Sequence, residues 1–134
     1  MPGGSINLSN SGQKKIVNQG SFTASGGINV GGDGTSTTTV VIENSDYLSV
    51  GYDLNCSMIN GSFKLISSAT NTPGIDIQRD LILNETTNTV VNSGYLTIGR
   101  NIITNNGGVN NSGTVTCAGS MSVSGTFTNS SYIT

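Results

Sequence analysis

The chain has 134 residues, enough for one domain, and its five Lys and Arg against seven Asp and Glu leave a formal net charge of -2, which excludes the dense basic surface that double-stranded nucleic acid needs. Only 9% of residues are charged and 34% are hydrophobic, with 19 glycines, and no run reaches the eighteen or so apolar residues of a membrane span. His and Trp are absent, so a His-based triad and a His-ligated metal site are both excluded.

Low charge and modest apolar content do not here mean disorder, which usually accompanies high net charge. The apolar residues are mostly strand formers, and they recur at regular places. The start, Met1-Pro2-Gly3-Gly4-Ser5, has neither the positive nor the apolar region of a signal peptide. Ser5-Ile6-Asn7-Leu8-Ser9 reads as a half-rung, so residues 1–13 are expected to form an N-terminal edge or partial cap.

From residue 14 a three-part unit begins. Ile16-Val17 leads to Asn18, then to Phe22-Thr23-Ala24 and Ile28-Asn29-Val30. After an insertion at Gly31–Thr39 the order returns as Val40-Val41-Ile42, Asn44, Leu48-Ser49-Val50 and Leu54-Asn55-Cys56. The third pass is Phe63-Lys64-Leu65, Asn71, Ile75-Asp76-Ile77 and Leu81-Ile82-Leu83, with an insertion placed at Ser67–Thr72. The fourth is Val90-Val91, Asn92, Leu96-Thr97-Ile98 and Ile102, and the fifth is Val109, Asn111, Val115-Thr116-Cys117 and Met121-Ser122-Val123. Phe127, Asn129 and Tyr132-Ile133 begin a sixth. Each asparagine lies four residues before the first apolar position of a strand-like pattern, and successive asparagines are 26, 27, 21, 19 and 18 residues apart.

Apolar, polar, apolar is the period of a strand with one face buried. Three such strands per repeat, separated by Gly, Asn and Ser, describe one turn of a solenoid. A single turn cannot bury its apolar face; stacked turns can. The expected fold is all-β, a right-handed parallel β-helix (β-solenoid) with roughly triangular rungs of about 18–27 residues over 14–134, about six rungs with the last incomplete. A two-sheet antiparallel sandwich would not keep one asparagine in register with one strand six times. Asn18, Asn44, Asn71, Asn92, Asn111 and Asn129 are expected to form a ladder, because Asn tolerates corner conformations and stacked amides bond to one another. Inward residues are expected at the outer places of each alternation, from Phe22 and Ala24 to Met121 and Val123.

The candidate chemistry is sparse. Cys56 and Cys117 fall in inward columns on the second and fifth rungs. Three rung steps of about 4.8 Å exceed the roughly 7 Å limit of a disulfide, so both read as buried free thiols. Asp53 and Asp80 share a column, with Arg79 and Arg100 beside them. Two carboxylates one rung apart have a glycosidase spacing, but no aromatic cleft accompanies them, and pairing with arginine is the plainer reading. No cofactor is expected. Oxygen ligands for Ca²⁺ exist, and Gly31-Gly32-Asp33-Gly34 resembles one stretch of a calcium-binding solenoid repeat without its nine-residue recurrence. The outward Thr23, Ser49, Thr97 and Thr116 resemble the Thr array of some ice-binding proteins, but no Thr-x-Thr pair is maintained. Tyr47, Tyr95 and Tyr132 share a column and are the candidates for contact with a glycan or partner.

Stretches such as Val109-Asn110-Asn111-Ser112-Gly113-Thr114-Val115-Thr116 and Gly125-Thr126-Phe127-Thr128-Asn129-Ser130 resemble the passenger regions of bacterial surface and secreted proteins, and the Ser/Thr/Asn/Gly-rich β-helices of viral and phage fibres. Bacterial cytoskeletal β-solenoids are similar in lacking an export signal. The resemblance implies a stalk, an adhesive surface or a self-assembling fibre, extracellular or at the cell surface, alternatively in a virion or a cytoplasmic filament. A structural, self-assembling or adhesive role without catalysis is therefore expected, ahead of a carbohydrate-binding module and, third, a polysaccharide-active enzyme. The expected partners are copies of the chain itself, end to end, and surface glycans, with no nucleic acid and no membrane insertion. The terminal rung appears in the sequence as an uncovered strand edge. Axial contacts are expected at Ile6, Leu8, Ile16, Val17, Tyr132 and Ile133.

Overall fold

A computed structural model describes residues 4–9, 12–31, 38–58, 61–69 and 74–134. The described residues form six turns of three short strands. The first turn is β1 (Ile6–Leu8), β2 (Gly12–Asn18) and β3 (Phe22–Ala24); the second is β4 (Ile28–Gly31), β5 (Thr38–Asn44) and β6 (Leu48–Val50). The third is β7 (Leu54–Ser57), β8 (Gly61–Ser67) and β9 (Ile75–Ile77); the fourth is β10 (Leu81–Leu83), β11 (Asn88–Asn92) and β12 (Tyr95–Ile98). The fifth is β13 (Ile102–Thr104), β14 (Gly108–Asn111) and β15 (Thr114–Cys117); the sixth is β16 (Met121–Val123), β17 (Thr126–Asn129) and β18 (Tyr132–Ile133).

Each strand pairs in parallel with its equivalents in the neighbouring turns, the strands of the first and sixth turns on one side only among the described residues, giving three six-stranded sheets. Sheet A holds β1-β4-β7-β10-β13-β16, sheet B β2 through β17, and sheet C β3 through β18. The fold is thus an all-β parallel solenoid. The registers follow the apolar alternation. Leu48, Ile75, Leu96 and Val115 stack directly in sheet C, and Leu54, Leu81 and Ile102 stack in sheet A. A one-residue slip would turn a whole inner column outward, so burial fixes the register. Phe63, Leu65, Leu81, Leu83, Ile75 and Ile98 are fully buried. Each such side chain contributes about 1.5–3 kcal/mol of transfer free energy. Among the described residues no helix is long and apolar enough to cross a membrane.

Ile6–Leu8 pairs in register with Ile28–Val30, so the chain before residue 14 supplies β1 and the start of β2, and the last turn has strands in all three sheets. Other expectations change. In the third turn the position level with Asn44 and Asn92 is held by Ser67, not Asn71. Counting four residues back from Ile75 misplaces the column, because the path from β8 to β9 is longer than its equivalents; Asn71 itself lies outside the described residues. Ser67 belongs to the ladder strand and not to an insertion. Cys56 stands in sheet A one strand after Val50, and Cys117 is three pairing steps beyond Val50 in sheet C, so nearly three turns separate the two thiols, as their spacing implied, and they lie on different faces. Cys56 is buried, whereas Cys117 is only partly so. Met121 and Val123 keep their inward columns but are 37% and 40% exposed, because the sixth turn has a neighbour on one side only among the described residues.

Candidate functional site

Three side-chain columns run along the solenoid. The first is the asparagine column at the end of sheet B. Asn92 Nδ2 donates to Asn111 Oδ1 at 2.7 Å, and Asn111 Nδ2 donates to Asn129 Oδ1 at 2.8 Å. Asn18 Nδ2 donates to Asn44 Oδ1 at 2.7 Å. Each Oδ1 of Asn18, Asn92, Asn111 and Asn129 also accepts the backbone N–H two residues on, at 3.2–3.4 Å. The residue therefore turns the corner locally and joins the next turn at once. All the amide links point the same way, donor toward the C-terminal turn. At Ser67 the chain of amides stops. Its Oγ is buried without a partner among the described residues, and Asn44 Nδ2 instead donates to the carbonyls of Asp46 and Gly74.

The second column sits at the corner from sheet C to sheet A. Asp53 Oδ1 accepts the Asp80 N–H at 3.1 Å, and Asp80 Oδ1 accepts both the Asn101 N–H at 3.0 Å and Asn101 Nδ2 at 2.9 Å. Asn101 Oδ1 in turn accepts the Ser120 N–H at 3.0 Å. Each acidic or amide side chain staples the backbone of the following turn. Arg79 lies 3.7 Å from Asp53 and Arg100 3.6 Å from Asp80, and the Arg79 guanidinium also sits 5.5 Å from the centre of the Tyr52 ring. The carboxylates that sequence spacing brought together are thus engaged in joining turns. Their role as acceptors for backbone N–H groups was not foreseen, though their place one residue before Leu54 and Leu81 was the signal for it.

The third column is aromatic. Tyr132 pairs with Thr114 and Thr114 with Tyr95, so the two tyrosines stand two turns apart on the outer face of sheet C. They flank a shallow groove of about 310 Å³ lined also by Ser93, Gly94, Gly113, Thr114 and Ser131. Tyr47 is two turns further on, level with Gly74. A second groove, of about 260 Å³, lies on the flank of sheet B at Val17, Glu43, Ile66 and the first two asparagines of the column.

Of the six residues expected to make axial contacts, Ile6, Leu8, Ile16 and Ile133 hold core columns. Val17 and Tyr132 do not. Both point outward, 51% and 73% exposed, because each is one residue out of phase with its core neighbour. Asp33 and Gly32, named for Ca²⁺, lie outside the described residues. Among the described residues no three His, Cys, Asp or Glu side chains are grouped to hold a metal ion. Burial pushes the Cys56 thiol up to about 12, against a lowering hydrogen bond with the Met58 backbone and with a further rise from the Glu85 carboxylate. Cys117 is different: its Sγ contacts the Arg100 carbonyl at 3.3 Å near the surface. Asn88 escaped the sequence reading; it is buried, and its Nδ2 donates to the Cys56 carbonyl.

The chain matches no family model, no curated protein and no solved structure.

Proposed function

We propose that this chain is a non-enzymatic structural solenoid that self-associates and presents an adhesive outer surface. The observation that supports it is the continuity of the columns: each turn is a template for the next in core, backbone ladder and, in the fourth to sixth turns, amide ladder. A fold of this kind lengthens by addition along its axis without a new type of contact. The acidic residues of the sheet C–A corner join turns rather than line a cleft, which favours a scaffold over a hydrolase. The resemblance to fibre and passenger regions supports a role outside the cell or at its surface. Light scattering and electron microscopy of the purified 134-residue chain test the reading. Particles longer than one chain are expected; monodisperse monomers at high concentration would reject self-association, and turnover of any polysaccharide would reject the non-enzymatic part.

A second reading rests on the Tyr95–Tyr132 groove. Tyrosine supplies a flat apolar ring with a polar edge, and neighbouring hydroxyls supply hydrogen bonds, the two needs of a sugar ring. A glycan array separates this reading from the first: saturable binding abolished by Tyr95→Ala with Tyr132→Ala supports a carbohydrate-binding module.

A further inference from the structure

We infer that the sixth turn of one copy stacks on the first turn of another, in the same register that joins turns within the chain. This rests on the self-association proposed above and specifies its surface, polarity and register.

The inner columns carry the first argument. Met121 and Val123 occupy the positions held by Ile102 and Thr104 one turn earlier, yet they are 37% and 40% exposed while Ile102 and Thr104 are fully buried. At the other end Ile6 and Leu8, which occupy those same two columns, are only partly buried against the core. Following the columns across a junction sets Met121 on Ile6 and Val123 on Leu8. The same register sets Ile133 on Phe22, continuing the sheet C column, and both are incompletely buried. In sheet B it sets Phe127 on Ile16, so apolar surface meets apolar surface in all three sheets without a change of phase.

Hydrogen-bond polarity carries the second argument, independently. Within the column at the end of sheet B each linked asparagine donates from Nδ2 to the Oδ1 of the following turn. Among the described residues, Asn129 Nδ2 donates to the Ser131 carbonyl and to no further asparagine, and Asn18 Oδ1 accepts the Gly20 N–H but no amide from a preceding turn. The sixth turn therefore offers an amide donor and the first turn an amide acceptor, in one column. Sixth turn on first turn satisfies both. Like faces meeting would place donor on donor or acceptor on acceptor. The contact is heterologous and does not close on itself, so it generates a polar filament.

Engineered disulfides test the register. Asn7 and Ser122 are exposed, point outward and share the sheet A column next to the matched core pairs. Across the junction their Cα atoms would lie about 4.8 Å apart, within disulfide range. Within one chain five turn steps separate them by about 24 Å, which excludes an internal bridge. In a Cys117→Ser background, Asn7→Cys with Ser122→Cys is expected to give a ladder of reducible multimers under mild oxidation. Each single variant should stay monomeric on the same gel, and so should the shifted pair Asn7→Cys with Ser124→Cys. Dimers from the single variants, or an equal ladder from the shifted pair, would overturn the register. Parent chains that are oligomeric by light scattering while the matched pair fails to cross-link would overturn this junction and leave self-association standing. Monomeric parent chains would remove both. Ile133→Lys provides a second check, because a charge in the matched core column should shorten or abolish the particles, and unchanged particles would contradict the junction.

Discussion

The first three turns and the last three are built on the same columns but to different standards. Equivalent sheet A positions are 22, 26 and 27 residues apart from Ile6 through Leu81, then 21 and 19 through Met121. The extra length of the early turns lies in the sheet B strands, seven residues each in β2, β5 and β8 against five in β11 and four in β14, and in two single connections, one between β4 and β5 and one between β8 and β9. The corner from sheet C to sheet A never varies. Three residues separate β3 from β4, β6 from β7, β9 from β10, β12 from β13 and β15 from β16. That constant corner is also where the side chains of Asp53, Asp80 and Asn101 hold the backbone of the next turn. The lesson is that parallel stacking needs one fixed corner and matched inner columns, not a fixed repeat length.

The sharpest way to break the regular half is through its tight corners. A Cβ added at Gly113 would overlap the Gly94 carbonyl oxygen, and backbone cannot step aside. Gly113→Ala is expected to cost about 3–4 kcal/mol, read by denaturant unfolding. At Gly108 the nearest atom to an added Cβ is 3.6 Å away, an ordinary contact, and alanine there should change stability by less than about 1 kcal/mol.

Core truncation sharpens the contrast between inner and outer turns. Leu83 and Val123 share a column, but one is fully buried and the other 40% exposed. Leu83→Ala should cost about 2–5 kcal/mol and Val123→Ala about 1 kcal/mol or less in the monomer, measured in the same unfolding assay.

The amide ladder gives a smaller effect with a sign. Asn111→Ala removes links to Asn92 and Asn129 and should cost about 2–3 kcal/mol by thermal or chemical unfolding. Ser67 lies where the ladder is interrupted and its buried hydroxyl is unpaired. Ser67→Asn should stabilise by about 1–2 kcal/mol if the amide reaches Asn44 and Asn92, and unchanged or lower stability would show that the third turn has no room for it. The last effect is confined to alkaline pH. The Cys56 thiol is raised from 9.0 to about 12 in the folded chain, so its contribution is complete below pH 9 and declines as pH rises toward 12. The difference in unfolding free energy between the parent and Cys56→Ala should narrow over that window; a parallel offset would contradict the burial of the thiol.

Much of the architecture was legible because period-two alternation and the asparagine spacing report the same corner. Leu48, Ile75, Leu96 and Val115 stack as their spacing implied. What was not legible has one physical source: a spacer measured from one strand carries no information about which corner holds an insertion. That is why Asn71 was assigned a place that Ser67 holds. Val17 and Tyr132 are a different case: sequence phase already sets each one residue out of step with a core neighbour and so outward, and grouping them with the inward Ile6, Leu8, Ile16 and Ile133 overlooked it. The tyrosine column was readable from its spacing. The groove between Tyr95 and Tyr132 was not, since it depends on Gly94 and Gly113 leaving the corner open between them.

The strands lie across the rod while the chain advances along it, one turn at a time. Tension applied between the two ends of the chain therefore does not shear whole sheets at once. It opens the outermost turn, three short strands of ladder, before the next turn feels the load. Each turn so released frees about twenty residues of extensible chain, on the order of 65 Å at about 3.3 Å per residue. Under pull the chain is therefore expected to extend in steps, turn by turn, while the turns not yet released keep their pairing.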